Sequence, residues 1–283
     1  MLGSSLSLVL ALSLQEPLEL EAPTAARPLP PPLVAAAQEL AQARSYRFAR
    51  TQRTRTYVQQ PSPDGSEWQE EFDWSAPAHQ RNRWHAVDGS WSLLGFLQLS
   101  AAYGEAYRRG EELVFLHPER GWKRPLPFPT RTRILNREQS QERELLSGFE
   151  RVRSPHRLFE GLADCLLDPE LDASASSADE RVYSGVLSAL GRERFWISDP
   201  RQRREFDGDL SRRTHAAGPA RASGRFEIHV RDGSLVRARF ELESQLDEIQ
   251  PARRYAHTLE FEFSGLNQTE VVPPEVVLRL FAD

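Results

Sequence analysis

One pair of histidines has a spacing that could support metal binding or acid–base chemistry. His79 and His85 lie six residues apart in a segment that also contains Arg81 and Arg83. On a strand all four side chains would share one face, because side chains alternate with a period of two. Imidazole can bind a metal or transfer a proton, but two neighbouring arginines repel a cation. A solvated sheet face explains this pattern better than a metal site does.

Cys165 is the only cysteine of the chain. No disulfide can therefore form within the chain, and no Cys/His zinc pattern can be assembled. Cys165 falls on the apolar stripe of a helix predicted over residues 155–167, beside Leu158 and Leu162. A nucleophilic thiolate needs an electropositive and partly exposed setting. The pattern instead predicts a small buried hydrophobic residue.

The other polar candidates have plain structural explanations. The arginine-rich segment 201–213 could contact a phosphate or a lipid head group. Its interleaved acidic residues favour a neutralised, solvated loop. His257 lies among apolar residues of a predicted strand and is interpreted as a core histidine. Asn267, Gln268 and Thr269 match a glycosylation sequon, a short motif that many chains carry by chance.

No catalytic motif stands out in the sequence. It has no G-x-S-x-G, no H-E-x-x-H, no P-loop and no G-x-G-x-x-G that opens a helix. We therefore predict that the chain is not an enzyme and has no catalytic residues, no metal and no cofactor. A hydrolase whose site follows no recognised motif stays open as a third hypothesis.

The composition is typical of one folded soluble domain. Of 283 residues, 39% are hydrophobic and 27% are charged, a balance that does not fit a disordered chain. The formal net charge of -5 gives no basic footprint for nucleic acid, so no nucleic-acid partner is expected.

The N-terminal sequence indicates export. Residues 2–14 form an apolar run as long as a signal-peptide core and too short to span a bilayer, and small residues follow at 22–26. We expect 1–24 to be a signal peptide, 25–32 a proline-rich tether and 33–283 a single domain, periplasmic or secreted. No lysine or arginine precedes the apolar run, so an intracellular protein with an apolar N-terminus is the alternative. No nearby cysteine could carry a lipid anchor.

The C-terminal sequence predicts an antiparallel sheet with one apolar face. Phe226, Ile228 and Val230 alternate with polar residues up to Asp232-Gly233, and residues 236–242 alternate beyond it. Asp-Gly between alternating segments is the strongest short-range hairpin signal. A third strand over 255–263 repeats the pattern. A sheet with one wet face is antiparallel, because crossover helices would cover both faces.

The rest of the chain predicts further strands and a few helices. A helix is expected over 33–43. Strands are expected over 45–58, 80–87, 105–109, 111–116, 181–190 and 192–198. A turn is expected at Asp88-Gly89, an exposed loop or flexible linker over 172–179 and a last helix after Pro274. Residues 91–102 are apolar without clean alternation, which fits a short helix or a cavity-facing loop. These elements predict an α+β fold, a large curved antiparallel β-sheet (half-open barrel) with a few helices packed on its concave apolar face.

The predicted strands carry more aromatic residues than a thin two-layer core needs. A curved sheet with few helices cannot cover its whole concave face, so an apolar cavity is expected there. The residues expected to line it and bind a ligand are Phe48, Phe72, Trp74, Trp84, Phe115, Leu158, Leu162, Phe226, Ile228, Phe240 and Phe261.

The order of the segments resembles a known carrier fold. A helix leads into the strand at 45–48, a strand pair ends in Gly121-Trp122, and a leucine-rich helix starts at Ser154-Pro155. The 225–242 hairpin and residues 259–277 follow. From about residue 33 to the C-terminus this resembles the lipoprotein-carrier fold of LolA-like and LppX/LprG-like proteins. The resemblance implies a non-catalytic carrier of lipids or lipoproteins in the cell envelope. The chain departs from it in having no lipobox cysteine and in its loops between 171 and 222.

The predicted fold and cavity are consistent with two classes of function. The first is an exported, soluble carrier or sensor that binds a lipid, an acyl chain or a lipidated peptide in an apolar cavity, with arginines at the rim. Its partners would be a lipid or lipidated protein, with peripheral membrane contact and an envelope protein as further partners. The second is a structural or protein-interaction domain of the envelope with a filled core, which recognises partners through strand edges.

Overall fold

The computed structural model describes residues 29–62, 65–70, 84–92, 95–102, 104–125, 142, 146, 149, 152, 155–195, 222–246 and 252–282. Their strands are β1 (Ser45–Ser62), β2 (Gly65–Glu70), β3 (Trp84–Ser92), β4 (Phe96–Ala101), β5 (Gly104–Arg109), β6 (Glu112–His117), β7 (Gly121–Lys123), β8 (Leu166–Leu171), β9 (Glu180–Leu187), β10 (Ser223–Arg231), β11 (Ser234–Leu246) and β12 (Arg253–Ser264). Their helices are α1 (Pro31–Gln42), α2 (Pro155–Phe159), α3 (Ala189–Phe195) and α4 (Glu275–Ala282), and Leu162–Cys165 forms a 3-10 helix. Within these residues no helix has the length and apolar character that crossing a bilayer requires.

The strands form one antiparallel sheet in the order β7-β6-β5-β4-β3-β1-β12-β11-β10-β9-β8, with β2 paired to the end of β1. Most neighbours in space are neighbours in sequence, as short hairpin connections produce. The exceptions are the pairing of β1 with β3, which skips β2, and the pairing of β1 with β12. The second aligns Phe48 with Phe263 and Thr54 with His257. The order ends at β7 and β8 without closing. The predicted α+β class with an open antiparallel sheet is confirmed.

One face of the sheet, called the inner face below, carries the main core. α1, α2 and α3 lie on this face, and their apolar side chains join those of the strands in one buried cluster. Phe226, Ile228 and Val230 of β10 point into this cluster, as the period of two predicts. A bulge between His229 and Val230 shifts the register of β11, so Leu235 is buried there in place of Val236.

α4 packs on the opposite, outer face of the sheet, against β6 and β7. β6 can be covered from both sides because Leu113, Val114 and Phe115 are consecutive apolar residues. The pattern after Pro274 predicted the helix, but it did not predict the face on which the helix packs. The second buried cluster consists of Phe96, Tyr107, Val114, Val271, Val277 and Phe281.

The predicted turn at Asp88-Gly89 is wrong, because β3 continues through both residues. They pair with Ala49 and Phe48 of β1. A Cβ built on Gly89 would lie within 3.0 Å of three atoms of the Phe48 ring. Glycine is therefore present for the close approach of that ring, which is a common reason for glycine inside a strand.

Residues 91–92 and 96–101 form strands in place of the predicted short helix or cavity-facing loop. They complete β3 and form β4, in which Leu97 and Leu99 join the inner core while Phe96 joins the outer cluster. A strand covered on both faces loses the alternation of apolar and polar residues that identifies a half-buried strand. The strand was missed for this reason.

Three further predicted elements differ from the structure. The helix that starts at Pro155 ends at Phe159, because Gly161 adopts a left-handed backbone (φ 63°) and β8 begins at Leu166. Residues 189–195 form α3 instead of a strand, since seven residues are too few to separate the two periods. α1 begins two residues early, at Pro31, because proline is tolerated in the first helical turn.

Candidate ligand site

A pocket of about 180 Å³ lies between α1 and residues 159–166, and we call it the α1 pocket. Gln38 is the only polar side chain in its lining. An engineered apolar cavity of about 150 Å³ binds benzene, so a pocket of this size can hold on the order of six to eight carbon atoms. The lining residues are Leu29, Leu33, Val34, Ala37, Gln38, Ala41, Phe159, Gly161, Leu162, Ala163 and Leu166.

The first wall of the pocket is α1, which has two adjacent stripes. Leu33 and Leu40 belong to the stripe that is buried against the sheet. Val34, Gln38 and Ala41 follow at spacings of four and three residues, so they share the neighbouring side of the helix. Gln38 and Ala41 are exposed, so the pocket opens to solvent along this side.

The second wall of the pocket lies between the end of α2 and the start of β8. The left-handed Gly161 ends the helical direction, and the 3-10 helix that follows buries Leu162 and Cys165 while Ala163 stays exposed. Tyr46 of β1 fixes the start of α2, because its hydroxyl oxygen accepts the backbone N–H of His156 at 3.0 Å. Burial raises the pKa of Tyr46, so the hydroxyl stays protonated.

Phe159 forms the floor of the pocket and belongs to a cluster of aromatic rings on the inner face. Its ring is 5.9 Å from Phe240, 5.5 Å from Phe261 and 5.3 Å from Phe263, in tilted or edge-to-face contacts. Such geometries are favourable for aromatic pairs. Beneath the α1 pocket the inner face is therefore filled by side chains.

The structure brings most of the predicted ligand-site residues together, but as core. Leu162 both belongs to the buried cluster and lines the α1 pocket. Phe72 and Trp74 lie outside the described residues, as does the side chain of Trp84. The other members of the inner core cluster among the predicted residues are Phe48, Phe115, Leu158, Phe226, Ile228, Phe240 and Phe261.

Sequence reasoning missed the other residues of the pocket. A second apolar stripe on α1 is the signal that could have indicated them. It contains Val34 and Ala41 and lies beside the stripe that packs on the sheet. Phe159, Ala163 and Leu166 gave no separate signal, because the pattern continued the helix through them.

A polar stripe on the inner face was also not predicted. Arg50, Gln52, Thr54 and Thr56 alternate along β1 and are buried. Arg50 Nη2 donates to Gln52 Oε1 at 2.6 Å, and the Thr54 hydroxyl lies 3.1 Å from His257 Nδ1. His257 is 1% exposed, which confirms the prediction of a core histidine. The apolar part of the inner face thus ends partway along β1.

The described residues include few groups that are suited to nucleophilic catalysis or metal binding. Cys165 is buried as predicted, and burial raises the pKa of its thiol, away from the thiolate that a nucleophile needs. Among the described residues no group of three or more His, Cys, Asp or Glu could hold a metal ion. His79 and the side chain of His85 lie outside the described residues.

The residues of the sequon have structural roles. Asn267 adopts a left-handed backbone (φ 59°), and its Oδ1 accepts the backbone N–H of Arg44 at 2.6 Å. The Thr269 hydroxyl is buried and donates to the carbonyl oxygen of Gly265 at 2.9 Å. The Asn267 side chain thus links the turn after β12 to the residue before β1, and the Thr269 side chain closes the turn itself.

His229 lies between two glutamate side chains on the outer face. Its Nδ1 lies 2.6 Å from Glu180 Oε1 and its Nε2 2.9 Å from Glu227 Oε1. Each ring nitrogen thus faces the carboxylate of a different glutamate. The hydrogen bond from His229, followed by those from Arg231, holds the pKa of Glu180 below its ordinary value.

The substitution Glu180→Gln is expected to lower stability by about 0.5 to 1 kcal/mol at pH 7, and by less at pH 3. Because its folded-state pKa is lowered, the carboxylate stabilises the fold above the unfolded-state pKa of about 4.3. This stabilisation is lost as the pH falls through the folded-state value. Urea denaturation at both pH values measures the difference, with Glu262→Gln on the same face as the control. An equal loss at both pH values would contradict the prediction.

Comparisons with known proteins place the chain in no family. No family model matches it, and no curated protein does. Among solved structures it is similar to a chain described under "lipid-protein interactions in lipovitellin", with 8% identity and a TM-score of 0.32. The match covers 81% of this chain and 26% of that one, so the present chain spans about a quarter of the lipovitellin chain. A likeness at this TM-score does not establish a shared fold or function.

Proposed function

We propose that this chain is an extracytoplasmic carrier or sensor that binds an acyl chain of a lipid or of a lipidated peptide, without catalysis. The observation that carries the proposal is the α1 pocket, an apolar depression that opens to solvent between α1 and residues 159–166. An apolar ligand chain is the chemistry that such a lining accepts. The residues that bind it are Val34, Ala41, Phe159, Leu162 and Leu166.

Apolar burial supplies the affinity. Each buried methylene group contributes about 0.8 kcal/mol, so a chain end of about six carbons contributes roughly 5 kcal/mol before the cost of association. Taken without that cost, this value would correspond to a Kd of roughly 0.2 mM, so the binding itself is weaker than that. The pocket alone therefore binds a chain end weakly and reversibly, which suits a carrier that must release its ligand.

The N-terminal sequence supports the proposed location outside the cytoplasm. Residues 2–14 have the length and apolar character of a signal-peptide core. N-terminal sequencing of the protein from its native cells should start near residue 25. Recovery of a chain that still carries residues 2–14 would contradict export.

One observation favours the second candidate function, a structural or protein-interaction domain of the envelope. Among the described residues the inner face of the sheet is filled by buried side chains, of which Phe240 and Phe261 are fully buried. A filled core needs no ligand to be stable. The two functions differ in one measurable property, since only the carrier copurifies with lipid or binds a fluorescent fatty acid.

The substitution Ala41→Trp is expected to weaken binding of a fluorescent fatty acid at least tenfold. Ala41 is exposed and lines the pocket, so the indole can occupy the pocket without entering the core. Titration of the purified protein, followed by the fluorescence of the probe, measures the effect.

Ala35→Trp is the matched control for this test. Ala35 is exposed on the same helix but does not line the pocket, so its replacement should leave the affinity unchanged. Equal affinities of the two variants would place the ligand elsewhere. Absence of probe binding to the wild type, with no lipid found by denaturing mass spectrometry, would refute the carrier function.

A further inference from the structure

We propose that the α1 pocket selects ligands whose apolar chain ends in an anionic group, and that Arg194 is the residue that binds this group. The inference rests on the proposed function and adds the chemical class of the ligand head group. It is carried by the position of one arginine of α3 beside the pocket wall.

Arg194 lies directly behind the second wall of the pocket. Its Nη1 donates to the carbonyl oxygen of Leu158 at 3.4 Å and to that of Glu160. These two carbonyls flank Phe159, the floor of the pocket. The guanidinium is thereby held in place by the backbone of the wall itself.

The guanidinium also lies close to Gly161, a residue of the pocket lining that has no side chain to cover it. A Cβ built on this residue would lie 3.8 Å from Arg194 Nη1 and 3.9 Å from Nη2. Because glycine has no side chain, nothing at position 161 separates the wall from the two nitrogens. A larger residue here would occupy the space that a ligand head group needs.

Arg194 lies near Asp164 but forms no ion pair with the described residues. None of their ion pairs includes it, and its hydrogen bonds to them are made by Nη1, to neutral carbonyl groups. The side chain is half-buried. A partly buried guanidinium beside an apolar pocket is suited to a carboxylate or phosphate oxygen, because charge-assisted hydrogen bonds are the strong ones.

Asp164 is the acidic residue that competes with this role. Its Oδ2 would lie 3.5 Å from the same Cβ position on Gly161. Asp164 is exposed, however, whereas Arg194 is half-buried and less screened by water. A cationic head group would favour Asp164, so ligands of opposite charge distinguish the two residues.

The test compares three ligands with the same eight-carbon chain: octanoate, octanol and octylamine. Each displaces a fluorescent fatty acid from the purified full chain at pH 7. We expect octanoate to bind about tenfold more tightly than octanol, and octylamine to bind no better than octanol. Arg194→Gln should remove the preference for octanoate and leave the affinity for octanol unchanged.

Two variants control for charge and folding. Arg225→Gln makes the same charge change at an exposed site of β10 and should keep the preference. Arg194→Lys should keep part of the preference for octanoate, and it replaces the glutamine variant in the test if that variant does not fold.

Two results would overturn this inference and leave the proposed function standing. One is equal affinity of the wild type for octanoate and octanol, and the other is a preference for octanoate that survives in Arg194→Gln. Tighter binding of octylamine would also overturn it and assign recognition to Asp164. If none of the three ligands binds the wild type, the proposed function itself fails.

Discussion

The substitution Phe240→Ala is expected to lower the free energy of unfolding by about 3 to 5 kcal/mol. Phe240 is fully buried on the inner face of β11. Its ring stacks on Phe195 of α3, with centroids 3.7 Å apart and planes 8° apart. The ring also contacts Phe159, so its removal opens a cavity where α3 and the floor of the α1 pocket meet the sheet.

Urea denaturation followed by tryptophan fluorescence measures this loss. Val272→Ala is the control, because Val272 is 69% exposed and its truncation should change stability by no more than about 0.5 kcal/mol. A loss below about 1 kcal/mol in Phe240→Ala would show that the ring does not hold α3 on the sheet as the structure has it.

Gly191→Ala is expected to destabilise the protein by about 2 kcal/mol, although alanine is the better helix former. Inside a helix the exchange alone would stabilise by about 1 kcal/mol. A Cβ on Gly191 would, however, collide with the carbonyl oxygen of Cys165 and lie 3.1 Å from its carbonyl carbon. A backbone group cannot rotate away as a side chain can, so the cost of overpacking reaches or exceeds about 3 kcal/mol.

Glu193→Ala in the same helix is the matched control for this prediction. Glu193 is exposed, so its replacement shows the effect of helix propensity alone and should be neutral or slightly stabilising. Urea denaturation of both variants measures the difference. Stabilisation by Gly191→Ala would mean that α3 does not approach Cys165 closely.

Both substitutions act on the element that carries Arg194. Phe195 packs α3 against the sheet, and Gly191 allows its close approach to the 3-10 helix. If α3 shifts, the guanidinium loses its carbonyl partners Leu158 and Glu160. Variants that weaken α3 docking should therefore also reduce the preference for octanoate, even where they remain folded.

Local patterns determined the C-terminal half of the sheet. The alternation of Phe226, Ile228 and Val230 and the Asp232-Gly233 turn predicted the β10–β11 hairpin, which the structure has. This prediction succeeded because the turn brings the two strands together by short-range geometry alone. The strand over 255–263 was identified by its period of two alone.

Strands and helices that are covered on both sides, or that are short, could not be identified in this way. β4 has apolar residues on both faces because α4 covers the outer one. α3 has seven residues, in which a helical and an extended pattern look alike. The role of Gly89 depended on a ring from another strand, Phe48, which no local pattern shows.

The sequence by itself determined which residues are apolar enough to be buried, and the tertiary structure decided which of them face a ligand. Phe226, Phe240 and Phe261 are core because helices cover the inner face above them. The α1 pocket joins α1 to residues more than one hundred positions later in the chain. Apolar burial is non-directional, so the sequence can show that a side chain leaves water but not whether its neighbour is another side chain or a ligand.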